Sequence, residues 1–275
     1  MSGEIPGDID ARLSAAAACK DKECTVAGMV PPGAATEAKA PVAVWSHEIT
    51  TSGGTLRFPK QAEIDLYGVV VKGAVGVQGA EGGAEVAVKR WAAFHAPGGG
   101  VSVVAKEAPA RVVLVAVASG GAPIASASAK LRDKDTSKIA WTARPGPIET
   151  VDLSASKDLA WAGGAMHARL GFEGDKQRAS VGLLFASKDA SVAQHQHDGS
   201  WEVLAVLRGG GTLRHAKAAG ATDMSSLSVT DGTVALVPQG TQHAWQPGGA
   251  KPLVAVQIYA PPGPEQRFKT LAESK

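Results

Sequence analysis

Two short segments in the C-terminal half constrain this 275-residue chain more than anything else in it. The first reads His195-Gln196-His197, then Glu202 and Gly209; the second runs from Gly232 through Pro238 and Gly240 to His243. Together they place three of the seven histidines and one acid. Residues 192–197 have an extended pattern, Asp198-Gly199 is a turn pair, and residues 201–207 are an apolar run, which predicts a β-hairpin. Residues two apart on a strand share a face, so His195 and His197 point the same way and Glu202 joins them from the partner strand. Residues 233–237 are a β-rich run that Pro238 and Gly240 end and bend, which lets His243 return toward the other three. Three imidazoles and a carboxylate suit a divalent first-row metal. Two histidines on one strand face are weak evidence, but four potential ligands, each beside the turn that would aim it, are much stronger.

These segments resemble the paired motifs of the cupins, at all four ligand positions and at Gly209, Gly232, Pro238 and Gly240. The likeness covers roughly residues 180–260. It implies a small antiparallel jelly-roll barrel with a metal in its mouth. Carried over residue by residue, it makes His195, His197, Glu202 and His243 the ligands of one divalent ion, Mn, Fe, Ni, Cu or Zn. Two positions depart from the motifs: Asp189 stands where the first opens with Gly, and Pro247 where the second closes with Asn. Both lie outside the ligand set and bear on loop geometry.

Four protein ligands on an octahedral ion leave about two positions for water or substrate, which distinguishes such a site from a closed structural one. The resemblance implies dioxygenase-like, oxalate-degrading, isomerase or lyase chemistry on a small oxygen-rich molecule. A non-catalytic module that binds or senses a metal or small ligand is the alternative, and fold alone does not separate the two. Gln257 and Tyr259, two apart on one strand, are candidates for the substrate pocket, with Arg169 as a carboxylate clamp. Trp245 is a further candidate whose simpler role is packing, and His167 is a looser one. No Ser-His-Asp or Cys-His arrangement competes with the metal centre, and no second acid is evident beside the motif.

The length allows one large or two modest domains. Short β-like runs recur from residue 42 to residue 118 with Gly-rich turns between them, and 33 glycines fit that texture. This half reads as a worn copy of the other. Leu114-Val-Ala-Val117 matches Leu253-Val-Ala-Val256 at an offset of 139; Gly73 and Gly209 match at 136; Pro97 and Gly99 match Pro238 and Gly240 at 141. On those offsets Pro59, Gln61, Leu66 and Ser102 replace the ligands, so the first copy is metal-free. His47 and His95 fall off the pattern and read as surface or packing residues.

The expectation is therefore an all-β chain of two tandem cupin barrels, a bicupin. Residues 1–44 form an extension with a short helix over 11–20; residues 45–128 form the degenerate barrel; residues 129–158 connect; residues 159–275 form the metal-binding barrel. The tail after Pro264 has helical spacing and covers a barrel edge. A net charge of +2 gives no footprint for nucleic acid. No apolar run is long enough to span a bilayer as a helix, so the expected partner is a small-molecule substrate or ligand, with a homodimer open. Cys19 and Cys24 either form a local disulfide, which implies export with a leader removed, or remain thiols in a cytoplasmic protein.

Overall fold

The computed structural model describes residues 16–19, 23–25, 34–61, 63–79, 82–124, 147–216 and 219–274. The chain divides into two compact units at the Asp152–Leu153 boundary. No helix among the described residues is long and apolar enough to cross a membrane.

The N-terminal unit holds β1 (Ala16–Cys19), β2 (Glu23–Thr25), β3 (Val42–Ile49), β4 (Thr55–Lys60), β5 (Ile64–Gly79), β6 (Val86–Val88), β7 (Ala92–Ala96), β8 (Gly99–Ala118) and β9 (Glu149–Asp152). Its sheet runs β1-β3-β8-β5-β7-β9, with β4 between β2 and β8. The pairing of β5 with β8 shifts register between Val70 and Val75, around Gly73. Gly73 has φ 65°, and a Cβ there would stand 2.3 Å from the Glu107 carbonyl oxygen, so only glycine fits. Its main buried cluster is apolar, built on Trp45, Leu56, Phe58, Leu66, Phe94 and Leu114.

The C-terminal unit holds β10 (Leu159–Trp161), β11 (Met166–Phe172), β12 (Ser180–Ala186), β13 (Val192–His195), β14 (Trp201–Arg208), β15 (Gly211–Ala216), β16 (Met224–Val229), β17 (Val234–Val237), β18 (His243–Pro247), β19 (Leu253–Ala260) and helix α1 (Gln266–Glu273). One sheet runs β10-β11-β12-β19-β14-β17, the other β13-β18-β15-β16. The order β12-β19-β14-β17 repeats β3-β8-β5-β7, which is the duplication expected from sequence. Gly209, at φ 84° and with a Cβ position 2.3 Å from the Pro252 carbonyl oxygen, repeats the constraint at Gly73.

Strand register corrects part of the sequence alignment. Gly68 pairs with Leu114 as Leu204 pairs with Gln257, so Leu114 corresponds to Gln257 and not to Leu253. Phe58 pairs with Val101 as His195 pairs with His243, so Val101 rather than Ser102 occupies the His243 place. Leu66 does correspond to Glu202: Leu66 pairs with Ala96 and Ala116, Glu202 with Val237 and Tyr259. Repeated small apolar residues match at several registers in sequence, and only backbone pairing selects one.

Three local expectations also change. Ala16–Cys19 is a strand pairing in parallel with β3, not part of a helix, because pairing at an open strand edge overrides even alanine's high intrinsic helix propensity. β1 and β2 thereby join the first sheet instead of forming a separate extension, and β3 begins at Val42. β9 lies within the expected connection yet pairs with β7. Residues 125–146 of the expected connection and the side chains of Cys19 and Cys24 lie outside the described residues. Finally, His95 and His47 are both buried. His95 joins Asp65 (3.0 Å) and Glu149 (3.1 Å) and stacks on Tyr67 at 4.3 Å, so it braces β5, β7 and β9.

Candidate metal centre

The expected hairpin is absent. β13 pairs with β18 in the four-stranded sheet, whereas β14 pairs with β17 and β19 in the six-stranded one. Residues 196–200 cross from one sheet to the other, so Glu202 meets the histidines across the barrel rather than along a ladder. A two-residue turn signal reports a reversal, and it does not say which strand the returning chain will pair with.

The four side chains nevertheless converge. One potential ligand atom from each of His195, His197, Glu202 and His243 lies within 4.8 Å of the other three. His195 and His243 are register partners, with ring centroids 4.2 Å apart. The turn at Pro238–Gly240 reaches across as well: the Gly240 N–H donates to the His197 carbonyl oxygen at 2.8 Å, fixing the two segments together.

Hydrogen bonds set the rings for coordination. His195 Nδ1 lies 2.9 Å from the Ala193 carbonyl oxygen and His243 Nδ1 lies 2.9 Å from that of Thr241. A carbonyl only accepts, so both Nδ1 atoms carry hydrogen and both Nε2 atoms face the cluster, the arrangement that orients a metal-ligating histidine. Glu202 Oε2 stands 3.1 Å from His197 Nε2 and 2.9 Å from His243 Nε2. Its other oxygen, Oε1, accepts from Gln257 Nε2 at 2.7 Å and from the Tyr259 hydroxyl at 3.3 Å. One carboxylate oxygen is thus held by the barrel wall and the other is turned inward.

The electrostatics follow. Burial, with help from His243, lowers the His195 pKa to about 4, so the ring is neutral, as a ligand must be. Burial alone would raise the Glu202 carboxyl, but hydrogen bonds from His197 and His243 hold it well below the usual carboxylate range. For His243 burial also works against charge, and Glu202 reverses that and raises its pKa. Burial, then the Glu202 charge, push the Tyr259 phenol well above its ordinary value, so it stays a hydrogen-bond donor. A buried carboxylate facing three imidazoles is a donor set that fits a divalent transition ion: the ion would replace the protons now shared between Glu202 and the rings.

His195, Glu202 and His243 open onto a cavity of about 600 Å³. Trp245 and Gln257 line it. Tyr259 is buried behind Gln257, 2.8 Å from its Nε2, and acts on Glu202 instead of facing the cavity. Arg169 is a correction. Its guanidinium is turned to the carbonyl oxygens of Leu153 and Ser154 and does not line the cavity, because β11 presents it to the chain entering the unit. His167 is likewise engaged elsewhere, with Asp158 and the Gly164 carbonyl oxygen. Sequence reasoning missed Arg267, whose Nη2 donates to His195 Nε2 at 3.1 Å. Helical spacing in the tail marks α1, but only its docking brings this residue to the histidines.

No family model matches the sequence, and no curated protein matches it. Similarity lies in structure. A solved oxalate decarboxylase, studied for its substrate binding mode and a reaction-specificity switch, superposes with a TM-score of 0.60 at 15% identity, covering 82% of this chain and 70% of that one. Bacillus subtilis oxalate decarboxylase, studied for its Mn(II) centres, gives 0.61 at 14% identity, with the same 82% and 70% coverage. A deletion variant of the Bacillus subtilis enzyme gives 0.59 at 15% identity, covering 80% and 69%. Identity this low carries the fold and no more. In strand order, in the antiparallel sheets and in the tail helix, this chain has the fold of the two-barrel cupins.

Proposed function

We propose that the C-terminal barrel is a metal-dependent enzyme acting on a small molecule, with His195, His197, Glu202 and His243 holding one divalent transition ion. The observation that carries this reading is the convergence of four ligand atoms beside an open cavity. A bound ion would supply Lewis acidity there, and one-electron chemistry if it is redox-active. Gln257 and Tyr259 keep Glu202 aimed at the ion position, and the apolar walls limit water at the reacting end.

Oxidation of dioxygenase type is favoured over decarboxylation. Glu202 is the only carboxyl lining the cavity among the described residues, and it belongs to the ligand set. Among the described residues lining the cavity, no second acid stands ready to deliver the proton that a decarboxylation product needs. The same scarcity of acid–base groups supports a second reading, a non-catalytic barrel that stores or senses its ligand.

The test begins with element analysis of protein purified without a metal-binding tag, followed by oxygen-electrode screening of small carbonyl, enol and carboxylate compounds. Iron, manganese, nickel or copper near one equivalent, with substrate-dependent oxygen uptake, is the expected result. Tightly held zinc with a saturable ligand and no turnover selects the second reading. Failure to take up any divalent ion on loading removes the enzyme reading.

A further inference from the structure

Resting on the metal-site reading, the cavity itself narrows the substrate class. Its wall is built from Met166, Leu184, Leu204, Leu213, Trp245 and Leu253, and apolar side chains make up most of its surface. About 600 Å³ corresponds to some twenty water volumes, far more than a two-carbon diacid would occupy. An oxygen-rich molecule would leave its polar atoms unpaired against this wall, at a cost for each.

At the cluster end the lining changes character. Among the described residues Arg267 is the single arginine or lysine lining the cavity, with its guanidinium over the Phe268 ring at 5.5 Å and Nη2 against His195. Its Nε is buried with no hydrogen-bond partner, and among the described residues Arg267 forms no ion pair. A guanidinium with no ion pair among the described residues, beside the open side of the cluster, is suited to an anionic oxygen, which would satisfy its charge. Helix α1 also contributes Phe268 and Leu271 to the lining, so one element supplies both the cation and part of the apolar wall.

We infer that the ligand is an amphiphilic monocarboxylate. Its carboxylate sits between the ion position and Arg267, and an aliphatic body runs along the Leu184–Leu213–Trp245 wall. Arg267 is a specificity-determining residue in this assignment.

Calorimetric titration with octanoate, oxalate and the neutral analogue octanamide tests it, on protein whose metal content has been measured. Octanoate is expected to bind at least about tenfold more tightly than oxalate, since only octanoate buries a chain. Arg267→Gln should weaken octanoate by roughly ten- to hundredfold and leave octanamide unchanged, the loss appropriate to charge-assisted hydrogen bonds. Arg267→Lys should recover part of that loss, which shows that the helix still docks. Octanoate no tighter than oxalate, or equal losses for octanoate and octanamide in Arg267→Gln, overturns the assignment. The two proposals fail separately. If the protein takes up no ion the metal reading falls, while octanoate binding and its dependence on Arg267 are still measured on the metal-free chain.

Discussion

The two units repeat one strand order and differ in what stands at equivalent register positions. In the C-terminal unit, Glu202, Gln257 and Tyr259 form a polar triangle, with His195 and His243 paired nearby. In the N-terminal unit the same positions hold Leu66, Leu114, Ala116, Phe58 and Val101, all in one apolar cluster. Gly182, the register partner of Gln257, corresponds to Trp45, the register partner of Leu114. Trp45 is fully buried and stands against Phe58 at 6.2 Å. The duplicated barrel has thus exchanged a ligand site for a filled interior. A buried carboxylate is tolerated only with charged or hydrogen-bonded partners, so losing the cluster piecemeal would leave costly orphans. Replacing the acid, amide, phenol and imidazoles by Leu66, Leu114, Ala116, Phe58 and Val101 avoids them, although Trp45, which fills the added space, keeps a buried Nε1 without a partner.

If metal binding belongs to the C-terminal unit alone, the largest effect comes from its ligands. Glu202→Ala should reduce metal affinity beyond the roughly hundredfold that loss of a supporting partner costs, with His197→Ala close behind; calorimetry with the loaded ion measures it. Hydrogen exchange of β3 and β8 should be unchanged in both variants, and a loss of protection there would contradict the independence of the two cores.

The converse graft, Leu66→Glu, places a carboxyl among Leu114, Ala116 and Val101 with no partner. Such a buried, unpaired charge should cost about 3–5 kcal/mol, read as a lower urea midpoint for the N-terminal unit, and no metal uptake should be gained.

His47 extends the contrast to pH dependence. It occupies the place of Leu184, and both its ring nitrogens are buried without partners. Burial lowers its pKa from 6.5 to about 4. The unfolded chain takes up a proton below pH 6.5 that the folded one refuses until about pH 4. This residue therefore costs stability as pH falls through that window, by roughly 3 kcal/mol at its lower end. His47→Leu should flatten that arm of the stability profile, measured by urea unfolding between those two values.

The smallest effect concerns positioning. Gln257→Leu, which imports the N-terminal unit's residue, should weaken metal binding by about ten- to hundredfold. Tyr259→Phe should do less, because its bond to Glu202 is the longer one at 3.3 Å.

Much of the site is legible in the sequence. His195, His197, Glu202 and His243 stand beside turn residues that aim them, and their spacing marks them as one set. The duplication is legible too, through Gly73 and Gly209, whose left-handed backbone admits little else. The strand pairing is not, because Asp198-Gly199 announces a reversal without naming the partner strand, and β14 pairs with β19 some fifty residues onward. The place of Arg169 is not, because a guanidinium's reach says nothing of which carbonyl oxygens lie nearer. Nor is the role of Arg267, since a lone arginine on a tail helix carries no local signal.

The donor set, the short-strand texture and the two-fold repeat are written into the chain, since they depend on residue type, period and backbone allowance. Folding in three dimensions settles which strands pair, which oxygen of Glu202 turns inward, and that an apolar cavity with one cation opens beside the histidines. Those properties arise from contacts between residues distant along the chain, and no local pattern encodes the distance across a barrel.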